Sequence, residues 1–171
     1  MCSRISWIFA SILVFSFSAI SQEPSPPGCH RFHTELSPEQ KAHILDGEFV
    51  VLTKVELLPE EVDSALAVVF QQERFEMANP GQKYQVSDFG RDGPLRRLVF
   101  AGISSDKCFV HYERGGRGHG YYAVVFRIDA QKKAKFLWAG AGSSRYPALD
   151  LQQLRTEISE GQFKDRELYS W

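Results

Sequence analysis

From Arg96 to Gly140 the chain alternates apolar stretches with short polar breaks. RRLVFAGI (96–103), CFVHYER (108–114), GYYAVVFRI (120–128) and KAKFLWAG (133–140) are rich in β-branched and aromatic residues. They are joined by SSDK, GGRGH and DAQKK, all turn chemistry and all short enough for hairpins. Four such strands in succession predict an antiparallel meander. Upstream, EFVVLTKVEL (48–57) reads as one more strand. The pattern then changes period. Val62, Ala65, Leu66, Val69 and Phe70 recur at spacings of three and four, which predicts a helix over 59–77 with one apolar stripe and an acidic first turn of Glu60, Glu61 and Asp63. Asn79-Pro80-Gly81 would end it. Residues 82–95 carry no clear period; KYQVSDF is compatible with a short strand and GRDGP with a loop.

Two further helices announce themselves by their caps. Ser37, Pro38 and Gln40 form a start signal for a short helix that stops near Gly47. Asp150 and Gln153 are spaced as a capping box, Leu149 and Leu154 as its staple, and Gly161 as the stop. The tail QFKDRELYSW holds Phe163, Leu168, Tyr169 and Trp171, enough apolar surface to dock.

Side chains alternate between the faces of a strand, so a hairpin register can be chosen by asking which one gathers apolar residues. Pairing Arg114 with His119, Ile128 with Lys133 and Ile103 with Cys108 collects Val99, Ala101, Ile103, Cys108, Val110, Tyr112, Ala123, Val125, Phe136 and Trp138 on one face. That face is expected to lie under the helix 59–77. The other face then holds Leu98, Phe100, Phe109, His111, Glu113, Tyr122, Val124, Phe126, Lys135 and Leu137. It also needs a cover, from the C-terminal helix, the tail, a second subunit or a ligand.

The ends and totals add the setting. Arg4 precedes an uncharged apolar run from Ile5 to Ile20, and Ala19-Ile20-Ser21 puts small residues where a signal peptidase reads. Residues 1–21 are therefore expected to be a signal peptide. The apolar run is short for a bilayer span, which needs roughly 20 residues. Residues 22–35, with Pro24, Pro26 and Pro27, would be an extended lead-in, and 36–171 a single domain. The formal charge is −1, and Arg4 is the only charge before Gln22, so the exported chain carries about −2. This excludes nucleic-acid binding by bulk electrostatics. Cys29 and Cys108 remain after cleavage, and an even pair in an exported chain reads as a disulfide.

The candidate chemistry is concentrated in CFVHYERGGRGHGYYAVVF (108–126). In the chosen register His111, Glu113 and Tyr122 are neighbours on one face, a histidine with a carboxylate to orient it as general base. No serine stands in a nucleophile elbow. Arg114, Arg117 and His119 flank the glycine loop as a candidate anion-binding set, although no helix N-terminus follows to cradle a phosphate. Cys108 and His111 are three apart on a strand and point to opposite faces, so CFVH is a poor metal pair, and no metal is expected. Gly140 to Arg145 sits between strand and helix, but at the wrong spacing for a phosphate loop.

These readings predict an α+β fold: a long helix on a four- to five-stranded antiparallel meander, with a short N-terminal and a C-terminal helix. Helix followed by meander resembles cystatin-like and NTF2-like rolls, a fold-level analogy that implies neither catalysis nor its absence. The expected function is that of an exported, soluble, non-catalytic binding protein, periplasmic or extracellular. Its ligand would be a protein or small molecule, held on one sheet face or on the glycine-rich loops, without a cofactor and with no membrane span after cleavage. Two alternatives stand beside it. One is a small hydrolase or isomerase with His111 as base. The other is a structural or dimeric envelope protein that buries its second sheet face in a homodimer.

Overall fold

The computed structural model of the chain describes residues 32–87 and 93–168. The expected signal peptide, most of the expected lead-in, Cys29 and Tyr169–Trp171 lie outside the described residues, as do 88–92. Among the described residues no helix is long and apolar enough to cross a membrane.

The fold is α+β. Six strands form one open antiparallel sheet in sequence order: β1 (Val50–Leu52), β2 (Arg96–Ile103), β3 (Lys107–Arg114), β4 (Gly120–Ile128), β5 (Ala134–Gly142) and β6 (Phe163–Asp165). The four meander strands lie where the alternation predicts them. The sixth strand is the tail itself, which turns at Gly161 and pairs with β5 through Gly142 and Phe163. The expected strand at 48–57 is shorter, because a single 3-10 turn at Val55–Leu57 replaces its second half.

Helices cover both faces. α1 (Pro38–His43) opens on the Ser37–Gln40 capping box, with both reciprocal hydrogen bonds made. α2 (Glu60–Val69) buries Val62, Leu66 and Val69 against one face. It is much shorter than the 59–77 expected. The chain leaves the helix at Phe70, and Gln71 adopts φ 47°. That break lets Phe70 stack on Phe75 at 5.6 Å and puts both rings into the core, which the amphipathic pattern alone could not foretell. α3 (Leu151–Ser159) starts at Asp150, whose carboxylate accepts from the Gln153 amide. The expected staple is not made, for Leu149 is exposed while Leu154 is buried.

Each face has its own core. Beneath α2 lie Ala101, Cys108, Val110, Tyr112, Tyr122, Val124 and Phe126. On the other face Ile44, Leu45, Leu154 and Ile158 close over Phe100, Phe109, Ala123, Val125, Trp138 and Phe163. The chain therefore covers its own second face: Phe109 is fully buried within it, while Val124 and Phe126 are fully buried in the α2 core.

The face assignment predicted from sequence needs correcting for β4. Cys108, Val110 and Tyr112 do face α2, but Ala123, Val125 and Trp138 belong to the opposite core. Arg114 pairs with Gly120, one residue beyond the predicted His119, and a one-residue slip turns every side chain of a strand over. The cause is the loop: Gly116–Gly118 forms a 3-10 turn, so five residues connect the strands. Two bulges shift the faces again, one between Leu98 and Phe100 and one after Val125 opposite Phe136 and Trp138.

Candidate functional site

The polar residues of the 108–126 segment are dealt to the two faces by that register. His111 points into the second core. It is completely buried, among the rings of Phe100 at 5.4 Å and Phe163 at 6.0 Å. Its Nδ1–H donates to the Tyr122 carbonyl at 2.9 Å, and Nε2 makes no hydrogen bond of normal geometry. Burial drives its pKa down to about 4, against weaker opposing effects from the backbones of Tyr122 and Ala148. The ring is a neutral structural side chain with no solvent path from any of the clefts described below.

Glu113 shares that face but does not orient His111. Its carboxylate accepts from Arg97 Nη2 at 2.6 Å and from His119 Nε2 at 2.9 Å. Tyr84 donates to it as well, with the Arg97 guanidinium 4.4 Å from the Tyr84 ring centre. Burial opposes ionisation of Glu113, but these donors outweigh it and hold the carboxyl below its ordinary value. The cluster ties the 82–87 segment to the end of the sheet. Gly115 assists from beside it: the Val86 and Gln85 backbones come so close that a Cβ there would lie 1.9 Å from the Gln85 carbonyl oxygen.

Tyr122 is on the opposite face. It stacks on Tyr112 with ring centres 5.4 Å apart and donates its hydroxyl to the Gly118 carbonyl at 2.8 Å. The expected His111, Glu113 and Tyr122 set is thus split three ways. The expected anion set is split too. His119 belongs to Glu113, Arg117 is exposed in the loop turn, and Arg114 reaches over the first core. Of the expected disulfide, Cys29 lies outside the described residues, while Cys108 is a free thiol buried in the α2 core, pushed up to about 12 by burial and then by the Glu61 carboxylate. A thiol so held is inert as a nucleophile. The Gly140–Arg145 loop is taken up at its start by β5 and by Ser143, whose amide donates to the Gln162 carbonyl.

What the register brings together instead is a set of arginines. Arg96 on β2 and Arg114 on β3 are direct cross-strand partners, and like charges placed so repel. Both reach a cavity of about 140 Å³ at the α2 side of the sheet end, lined also by Tyr112, Tyr122, Arg166 and Glu167. Arg96 is 8% exposed, with its guanidinium 3.9 Å above the Phe70 ring. The Nε atoms of both Arg96 and Arg114 are buried without a hydrogen-bond partner. Burial pulls the Arg96 guanidinium below its ordinary value; Tyr112 counters this, and the Arg114 charge adds to it. Tyr112 is held protonated, since burial pushes its hydroxyl far above the usual range. Three arginines and one glutamate, with two tyrosines behind them, make an electropositive recess.

Other clefts are wider and shallower. One, of about 400 Å³, runs between α2 and β5 past Phe32, Val68 and Phe136. Another, of about 700 Å³, lies beside Glu56, Asp63 and Met77. Neither holds a buried polar atom without a partner. Among the described residues no three histidine, cysteine or carboxylate side chains gather as a metal site would require. Of the cavity's residues, sequence reasoning singled out Arg114 and, in another role, Tyr122, and missed Arg96, Arg166 and Tyr112. The available signal was the arginine pair at the start of β2, which any hairpin register close to the true one sets against Arg114. No protein-family model, no curated protein and no solved structure matches this chain.

Proposed function

We propose that this chain is an exported, non-catalytic binding protein that holds an anionic ligand in the arginine-lined cavity at the glycine-loop end of its sheet. The observation that carries the reading is the pair of buried Nε atoms on Arg96 and Arg114, cross-strand neighbours that lack a partner. Buried donors are almost always satisfied, and exceptions mark places where another group belongs. The signal-peptide pattern of residues 1–21 supports export. The analogy to cystatin-like and NTF2-like rolls admits carriers and enzymes alike, so the site has to decide between them. Against an enzyme built on His111 stands its sealing among aromatic rings, with Glu113 engaged elsewhere.

The test is a thermal-unfolding panel at constant ionic strength. Sulfate, phosphate, acetate and citrate are compared with chloride and with glucose. A ligand at one hundred times its Kd stabilises by about 2.7 kcal/mol, roughly 5–10 °C for a chain of this size. At least one polyatomic anion will raise Tm over the chloride control, and Arg114→Gln will remove the rise. Identical Tm values across the panel would refute the assignment.

A further inference from the structure

We propose that the group bound in this cavity is a doubly charged tetrahedral oxyanion, a phosphate either free or at the end of a small monoester. This rests on the reading above that the cavity is the binding site, and it deepens that reading by naming the ligand's chemistry.

Size comes first. At about 140 Å³ the recess is smaller than the roughly 300–1,000 Å³ pockets that enclose drug-sized ligands. A cavity of about 150 Å³ holds benzene, so this one takes a head group of a handful of heavy atoms. Charge comes second. Arg96 and Arg114 are an adjacent like-charge pair, and Arg166 adds a third guanidinium at the rim. With the Glu167 carboxylate in the same lining, the three guanidiniums leave two positive charges, which a monoanion halves and a dianion neutralises.

Shape comes third. The two side chains rise from neighbouring strands, about 4.8 Å apart, and both line the recess from different backbones. A planar carboxylate offers its lone pairs in a single plane. A tetrahedral group offers oxygens in several directions and can meet Arg96, Arg114 and a rim donor together. Beside the recess, a Cβ at Gly118 would sit in ordinary contact, 3.7 Å from an Arg114 terminal nitrogen and 3.8 Å from the Tyr122 hydroxyl.

Calorimetric titration at pH 7.5 and low salt tests this with four probes: inorganic phosphate, ethyl phosphate, diethyl phosphate and acetate. Phosphate and ethyl phosphate will bind at least tenfold more tightly than the two monoanions. Tighter binding of inorganic phosphate points to the free ion as ligand, and tighter binding of ethyl phosphate to a terminal phosphate. Ethyl phosphate will weaken as the pH falls to 5.5, because its second ionisation lies near pH 6. Arg114→Gln will lose at least tenfold in affinity for both dianions, and so, to a smaller degree, will Arg166→Gln, whose side chain is exposed and leaves folding intact. Arg127→Gln, exposed near the far end of β4, will bind as the parent does. Acetate binding as tightly as phosphate, or an affinity for ethyl phosphate that ignores pH, would overturn the phosphate assignment and leave an anion site standing. Absence of binding by all four probes would remove both.

Discussion

Replacing Trp138 with alanine will cost about 4 kcal/mol and lower Tm by roughly 8–16 °C. Trp138 is the largest fully buried side chain among the described residues and belongs to the second core. Its loss removes the transfer energy of a large ring and leaves a cavity that the surrounding β-strands cannot close. There is a polar cost as well. Trp138 Nε1–H donates to Asp165 Oδ1 at 2.7 Å, and the other oxygen of that carboxylate accepts from Lys41 at 2.9 Å. Burial works against the Asp165 charge, but these two donors prevail and keep the carboxyl below its ordinary value. One residue therefore links β5, β6 and α1. The neighbouring backbone is adapted to it, since a Cβ at Gly140 would fall 2.4 Å from the Trp138 ring. Urea unfolding followed by circular dichroism measures the effect. Trp138→Phe, which keeps most of the ring and loses the hydrogen bond, will fall between parent and alanine variant. A loss under 1 kcal/mol for alanine would show that the second core is not packed on this side chain.

Between pH 6.5 and 4.5 the protein will lose about 2 kcal/mol of stability through His111 alone. The folded pKa of about 4 lies below the ordinary 6.5 because burial disfavours the imidazolium. In that window the unfolded chain binds a proton that the folded chain refuses. The stabilising contribution is complete above pH 6.5, shrinks as the pH falls, and is gone once the pH is below about 4. The depressed carboxylates Glu113 and Asp165 add their own losses, but lower down, as the pH falls from about 4.5 through their folded values. His111→Asn keeps a donor for the Tyr122 carbonyl and cannot titrate. Its unfolding free energy, measured in urea at pH 7.0, 6.0 and 5.0, will be nearly flat where the parent falls. Parallel curves would mean that His111 is hydrated and accessible, and would reopen its candidacy as a base.

The meander was legible because its signals are local: β-branched runs bounded by turn residues. The caps of α1 and α3 were legible for the same reason. What escaped is set by tertiary contacts. α2 ends at Phe70 because two phenylalanines and Arg96 pack together, and no glycine or proline marks that point. The faces of β4 escaped because the loop Gly115–His119 has five residues where the predicted pairing allowed four, and because each bulge reverses the alternation. The site suffered most from this. His111 and Tyr122 lie eleven positions apart, and a single slip moves one of them through the sheet. The arginine recess escaped because the bulge between Leu98 and Phe100 sets Arg96 opposite Arg114, where the unbulged pairing would set Arg97.

The two arginine Nε–H groups are the most direct witnesses to the proposed binding. In a protein labelled with nitrogen-15 on arginine and histidine, their resonances can be followed as phosphate is added. Arg96 and Arg114 will shift together and saturate with one Kd, while Arg97, held by Glu113, and Arg127, on the far end of the sheet, stay in place. A response centred on Arg117 and His119, or on the ring nitrogens of His111, would place binding elsewhere and contradict the account.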